Sequence, residues 1–204
     1  MQFCEFNQVT TWPQFLGLVE RRAEVFRIRL VHWQSPVLGT FKLNTDGCSK
    51  GNPGLSGGGG ILRDVSGPFI FAFAGCFGYG TSLQAEAKAL LLGLQLCVQR
   101  TMVRQLVVES DSRLLIQILT NNSQCPWSIS GEVEQCFTLS KGSIQFKHCY
   151  RQANKVADIL ANVRCTLSDS ICLYEHLSSL PGIAMGEYRL DKLAYPSIRR
   201  RRIK

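Results

Sequence analysis

Phe41-Lys-Leu-Asn-Thr-Asp46, running directly into Gly47-Cys-Ser-Lys-Gly-Asn-Pro-Gly54, is the stretch on which the fold of this chain turns. Its first six residues alternate apolar and polar, the period-two pattern of a half-buried strand. The Gly/Pro/Asn-rich segment Gly47 to Gly57 that follows reads as a turn. Gly58–Arg63 and Pro68–Gly75 read as two further strands, hinged at Asp64-Val-Ser-Gly67, where Gly67 supplies the positive φ such a turn needs. Three strands joined by short turns make an antiparallel meander.

Beyond the meander the period changes from two to 3.6. Thr81-Ser-Leu-Gln84 has capping-box spacing and opens a helix with Leu83, Ala87, Leu90, Leu91, Leu94 and Val98 on its apolar side. Gln105–Ser110 is short and β-branched, a buried strand. Leu114 to Leu119 begins a helix ended by Asn121-Asn122, Pro126–Leu139 is a weaker helix, Ser143–Tyr150 a fifth strand, and Asn154–Val163 a final helix. The order βββ-α-β-α-α-β-α predicts an α/β fold: one five-stranded mixed sheet, three strands antiparallel and two parallel, flanked by helices.

Outward from this core the chain divides at Ser35-Pro36-Val-Leu-Gly39. Residues 1–40 read as a helical extension, because Trp12, Phe15, Leu16, Val19, Ala23 and Phe26 recur at helical spacing through 11–31. Residues 41–162 form the principal domain. Residues 163–204, with Pro181, Gly182, Gly186 and Pro196, read as an irregular basic extension, with one short helix near Asp169–Leu177.

Of the 204 residues, 45% are hydrophobic and 19% charged, which suits a packed core and excludes global disorder. The most apolar stretch, Leu83–Val98, is interrupted by Gln84, Glu86, Lys88 and Gln95, far from the ~20 apolar residues of a membrane span. No secretory signal is expected from an N-terminus without basic residues. Nine cysteines include no Cys-x-x-Cys pair and are odd in number, so they read as reduced thiols of an intracellular protein, nuclear or cytoplasmic. The net charge of +8 is distributed as +1 over residues 1–40, +3 over 41–162 and +4 over 163–204. That balance favours a polyanionic partner and gives no reason to expect a membrane. The run Arg199-Arg-Arg-Arg202-Ile-Lys204 is a solvated tail, a nucleic-acid contact or an import signal.

Four acids stand at distinctive places. Asp46 ends the first strand, Glu86 lies in the first turns of the long helix, Asp111 ends the fourth strand, and Asp158 sits in the last helix. Singly, each has an ordinary reading: a turn residue, a helix-dipole complement, an N-cap and a solvated helical acid. Together they differ. Parallel pairing of the first and fourth strands puts Asp46 and Asp111 side by side at the carboxyl ends, where open α/β sheets hold ligands. Clustered carboxylates repel unless hard cations neutralise them, and two Mg²⁺ ions with oxygen ligands do so while assisting phosphoryl chemistry.

The blocks Thr45-Asp-Gly-Cys-Ser-Lys-Gly-Asn-Pro-Gly54, Gln84-Ala-Glu-Ala87, Glu109-Ser-Asp-Ser112 and Asn154-Lys-Val-Ala-Asp158 resemble, in order, the four motifs of type 1 ribonuclease H. The wording of Gly60-Ile-Leu-Arg-Asp-Val-Ser-Gly67 and Arg151-Gln-Ala-Asn-Lys-Val-Ala-Asp158 resembles the plant ribonuclease-H-like branch derived from non-LTR retroelements. The resemblance implies a ribonuclease-H-like fold and a metal-binding set of Asp46, Glu86, Asp111 and Asp158, all intact. It implies Mg²⁺, two ions, with Mn²⁺ as the alternative. It assigns the mobile active-site histidine to His148, which precedes Asn154 by six residues (154 − 148) and Asp158 by ten (158 − 148). It places substrate contacts at Gly47, Asn52, Ser82, Arg113 and Asn154, although Ser82 stands where many relatives have asparagine and Arg113 where some have glutamine. The basic handle of some bacterial relatives is missing, since Cys125–Leu139 carries no Lys or Arg.

The implied function is endonucleolytic hydrolysis of the RNA strand of RNA–DNA hybrids by a monomeric, two-metal enzyme. The alternative is a domesticated, catalytically silent nucleic-acid-binding module. Retention of four mutually repelling acids favours the enzyme, because a binder has no use for them.

Overall fold

The computed structural model describes residues 11–16, 26–65, 67–100, 105–140, 144–164 and 171–203. Two compact units result, Val31–Ser197 and a smaller one comprising Met1–Leu30 with Ile198–Lys204.

In the smaller unit, residues 12–16 are helical and 17–25 lie outside the described residues. The helix expected to reach residue 31 does not: Phe26–Val31 is a strand, β1. Phe26-Arg-Ile-Arg-Leu30 alternates with period two, and that pattern overrides the looser helical spacing.

The larger unit is built on β2 (Phe41–Gly51), β3 (Gly54–Arg63), β4 (Phe69–Gly80), β5 (Leu106–Ser110), β6 (Ile144–His148) and β7 (Ile171–Tyr174). Its helices are α1 (Ser82–Arg100), α2 (Arg113–Leu119), α3 (Ser130–Leu139), α4 (Lys155–Arg164) and α5 (Gly182–Lys192). The sheet order is β6-β5-β2-β3-β4-β7. β2, β3 and β4 form the antiparallel meander, and β2-β5 and β5-β6 are parallel. The mixed sheet is as expected, with a correction: it has six strands. β7 pairs antiparallel with β4 through Ala72↔Tyr174 to Gly75↔Ile171.

The expectation of an irregular segment after residue 162 is therefore corrected too. β7 and α5 belong to the compact unit that ends at Ser197. Ala184 and Tyr188 of α5, one helical turn apart, are buried with Ile61, Val156 and Leu160. The Tyr188 hydroxyl donates to the Gly67 carbonyl at 3.0 Å. The basic run folds as β8 (Ser197–Arg202), which pairs with β1 in a separate two-stranded sheet.

The capping box at the start of α1 forms as read. Thr81 N donates to Gln84 Oε1 at 2.9 Å, and Gln84 N donates to Thr81 Oγ1 at 3.3 Å. α1 and α4 reach the sheet through the glycines of β3. A Cβ on Gly58 would lie 2.5 Å from the Ala89 Cβ of α1, and one on Gly59 2.5 Å from the Leu160 Cβ of α4. Successive strand residues face opposite sides, so two adjacent glycines admit one helix on each face.

Candidate active site and metal centre

Three elements deliver three carboxylates to one point. Asp46 projects from β2, Glu86 from the second turn of α1, and Asp111 follows the last residue of β5. One oxygen of each lies within 4.8 Å of the others. The parallel register Thr45↔Ser110 sets Asp46 beside Asp111. Gly47 sets Glu86 beside both: a Cβ there would stand 2.2 Å from the Glu86 nitrogen, so only glycine lets α1 press onto β2. The Gly47 N–H also donates to the Glu86 carboxylate. The Asp-Gly pair is thus a packing requirement of the site.

Electrostatics follow from burial. Asp46 is 4% exposed and Glu86 9%. Burial first, then the charges of Glu86 and Asp111, hold the Asp46 carboxyl far above the usual carboxylate range. Burial and the charge of Asp111 raise Glu86 likewise, against hydrogen bonds from Ser110 and Gly47. The Ser110 hydroxyl donates to Glu86 Oε2 at 3.2 Å and accepts from Ser112 N at 3.0 Å. Ser110 is a site residue that motif reading missed, although its place between Glu109 and Asp111 put it in view.

Asp158 stands apart from this trio. It lies on α4 with its side chain 26% exposed, and Arg151 Nη2 donates to Asp158 Oδ1 at 2.6 Å. Its charge still contributes to raising Asp46. The charges of Asp46 and Asp111 also act on the Arg151 guanidinium, whose side chain is 70% exposed. Sequence reading gave Arg151 no role, although it opens the block Arg151 to Asp158.

The remaining expected residues divide. Asn52, exposed in the β2–β3 turn, accepts from Ser82 N at 3.0 Å, so the two meet at the N-terminus of α1. Arg113 is exposed on the first turn of α2, just after Asp111. His148, exposed at the end of β6, is in register with Ser110 and meets Tyr150 edge-on at 5.8 Å between ring centres. Asn154 is different: it is 1% exposed, and its Nδ2 donates to the Thr45 carbonyl at 2.9 Å. That bond ties the start of α4 to β2 beside Asp46.

A buried polar network lies on the same face of β2, where Lys42 and Asn44 alternate in phase with Asp46. Asn44 Oδ1 accepts from Arg63 Nη2 at 2.7 Å and from Trp33 Nε1 at 2.9 Å. Asn44 Nδ2 donates to Glu109, which pairs with Lys42 at 2.6 Å. Arg63, 1% exposed, stacks 3.8 Å from the Trp33 ring centre and pairs with Asp191 of α5 at 2.7 Å. Through Arg63, α5 is bound to the strand that carries Asp46; through Lys155–Glu187 at 3.2 Å it is bound to the helix that carries Asp158.

The donor set is all oxygen and mutually repelling, and it fits a hard divalent cation such as Mg²⁺. Asp46, Glu86 and Asp111 are the residues that would hold such an ion.

Comparison with known proteins identifies the family. Residues 44–164 match the family described as reverse transcriptase-like. The chain is 34% identical over 155 residues to an Arabidopsis thaliana protein named as a ribonuclease H protein, covering 75% of this chain and 24% of that one. It thus spans about a quarter of that relative's length. The RNase H1 of the archaeon Halobacterium salinarum superposes with a TM-score of 0.58 at 25% identity, over 60% of this chain and 95% of that one. LC11-RNase H1, solved in complex with an RNA/DNA hybrid, gives 0.58 at 23% identity over 61% and 96%, a likeness of fold. With the matched pattern spanning all four acids, the chain belongs to the reverse-transcriptase-like family and carries the type 1 ribonuclease H fold.

Proposed function

We propose that the chain is an endonuclease that hydrolyses the RNA strand of RNA–DNA hybrids using two divalent metal ions. One observation carries the reading: three carboxylates within 4.8 Å, two of them buried, with a fourth on an adjacent helix. A binding surface for a polyanion has no use for such a cluster, which repels phosphate until cations enter it. The likeness to a ribonuclease H1 solved with a hybrid supports the choice of substrate class.

When bound, a pair of Mg²⁺ ions activates water and stabilises the charge of the leaving oxygen. The chain's own residues do the rest. Asp46, Glu86, Asp111 and Asp158 hold the cations, and Ser110 and Gly47 fix the Glu86 carboxylate. Asn52, Ser82 and Arg113 line the rim that receives the RNA backbone. Water adds in line to phosphorus and the P–O3′ bond breaks, leaving a 5′-phosphate and a 3′-hydroxyl. His148, at the open end of β6, moves the proton that the 3′-oxygen must gain.

The test is incubation of end-labelled hybrid with the full chain in Mg²⁺, Mn²⁺, Ca²⁺ or EDTA. Cleavage is expected in Mg²⁺ and Mn²⁺, little or none in Ca²⁺, and none in EDTA. Asp111→Asn should abolish cleavage while hybrid binding persists or tightens, because carboxylate–phosphate repulsion falls. Undiminished cleavage by Asp111→Asn would refute the site. Binding of hybrid by the wild-type chain without cleavage in any metal would replace the enzyme with the silent binding module.

A further inference from the structure

Six arginines of the chain lie in the two strands outside the larger sheet. β1 and β8 form a two-stranded sheet in which β1 reads Phe26-Arg-Ile-Arg-Leu-Val31 and β8 reads Ser197-Ile-Arg-Arg-Arg-Arg202. These two strands hold six arginines and no acidic residue. Strand alternation puts Arg27 and Arg29 on one face of the ribbon and Phe26, Ile28 and Leu30 on the other. β8 has four consecutive arginines, so whichever pair shares the face of Arg27 and Arg29, that face carries four guanidiniums. Phe26 to Leu30 are all exposed, as are Arg200, Arg201 and Arg202.

A face of exposed guanidiniums is complementary to a partner that brings closely spaced negative charge. Alternate residues on a strand stand roughly 6.7 Å apart, while a nucleic-acid strand presents a phosphate about every 3.4 Å of axis, so neighbouring guanidiniums match every second phosphate. All six cations are Arg and none is Lys, which favours bidentate phosphate contacts over a diffuse field.

We infer that the β1–β8 ribbon is a second nucleic-acid-binding element, separate from the carboxylate site, which grips the sugar–phosphate backbone of a duplex through its arginine face. It recognises charge and spacing and is indifferent to base sequence. The inference rests on the proposed nucleic-acid substrate, and it adds an element that the matched family region, residues 44–164, does not contain.

The experiment measures hybrid binding by the full chain in Ca²⁺ across a range of KCl concentrations. The variants are Arg199, Arg200, Arg201 and Arg202 all to Gln, the same four to Lys, and the pair Arg27→Gln with Arg29→Gln. Each phosphate that a variant no longer neutralises should flatten the slope of log K against log salt by about 0.9, so two such phosphates flatten it by about 1.8. Between about 50 and 200 mM salt the wild type should then lose roughly ten-fold more affinity than the Gln variants. The Lys variant should keep its slope, which separates removal of charge from a disrupted strand. The pair on β1 gives the same readout should the β8 variant fail to fold. An unaltered slope in both Gln variants, with wild-type cleavage intact, would overturn the ribbon and leave the nuclease reading standing. Salt-dependent binding that the Gln variants flatten, in a protein that does not cleave, would uphold the ribbon and remove the nuclease. Gln variants that lose binding to phosphatidylserine vesicles but not to hybrid would reassign the ribbon to a membrane surface, and a wild type that binds no hybrid would refute both readings.

Discussion

Gly59→Ala is expected to damage the site without touching any of its residues. A Cβ at Gly59 would stand 2.5 Å from Leu160 Cβ, 2.6 Å from Ala161 N and 2.6 Å from Leu160 C. Non-bonded carbons settle at about 3.5–4.0 Å, and two of these three neighbours are helix backbone that no rotamer change can move aside. α4 must therefore retreat by roughly 1 Å or more, carrying Asp158 with it. Overpacking of this kind costs about 1–3 kcal/mol, or roughly 2–12 °C in Tm for a domain of this size. A misplacement of ~1 Å at a reacting centre costs on the order of 10² in rate. Single-turnover cleavage of labelled hybrid, with thermal melts of the same preparation, measures both. Gly186→Ala is the control: it lies exposed in α5 with nothing within 4 Å, so it should gain about 0.5–1 kcal/mol and leave turnover unchanged. A Gly59→Ala protein that melts with the wild type and cleaves within about three-fold of it would refute the reasoning that α4 seats Asp158 through this glycine.

In EDTA the folded protein should lose stability as pH rises from the ordinary carboxylate range through neutrality. Asp46 and Glu86 have raised folded-state pKa values, so the native state keeps protons that the unfolded chain releases. Mg²⁺ should remove that slope, and metal-free melts between pH 5 and 9 that rise with pH would contradict it. Asp191→Ala leaves the Arg63 guanidinium buried without its carboxylate, a loss of about 3–5 kcal/mol and roughly 6–20 °C in Tm, checked by calorimetry; a shift within error would show that Asn44 and Trp33 suffice for Arg63. His148→Ala should lower turnover by ~10²-fold with hybrid affinity nearly unchanged, and an undiminished turnover number would reduce His148 to an edge-strand residue.

The sequence alone determined the kinds and order of the core elements, because the signals are local: alternation in Phe41–Asp46, the reciprocal cap of Thr81 and Gln84, and the 3.6-residue period of α1. It also marked all four acids, since the residues that must sit against Asp46 or Glu86, such as Gly47, are printed beside them. Tertiary structure alone decided where those acids go. Asp46, Glu86 and Asp111 converge while Asp158 turns to Arg151, a choice made by three-dimensional distance between elements far apart in the chain. It also buried Asn154, whose amide nitrogen donates to the Thr45 carbonyl. β7, α5 and the β1–β8 ribbon were hidden for a common reason. Each is short, and a four-residue strand or an eleven-residue helix is marginal in isolation. Their structure comes from partners at long range: β4 for β7, Arg63 and the second core for α5, and two ends of the chain for the ribbon. Periodicity in a local window cannot register such partners, because the free energy that forms these elements lies in contacts the window does not contain.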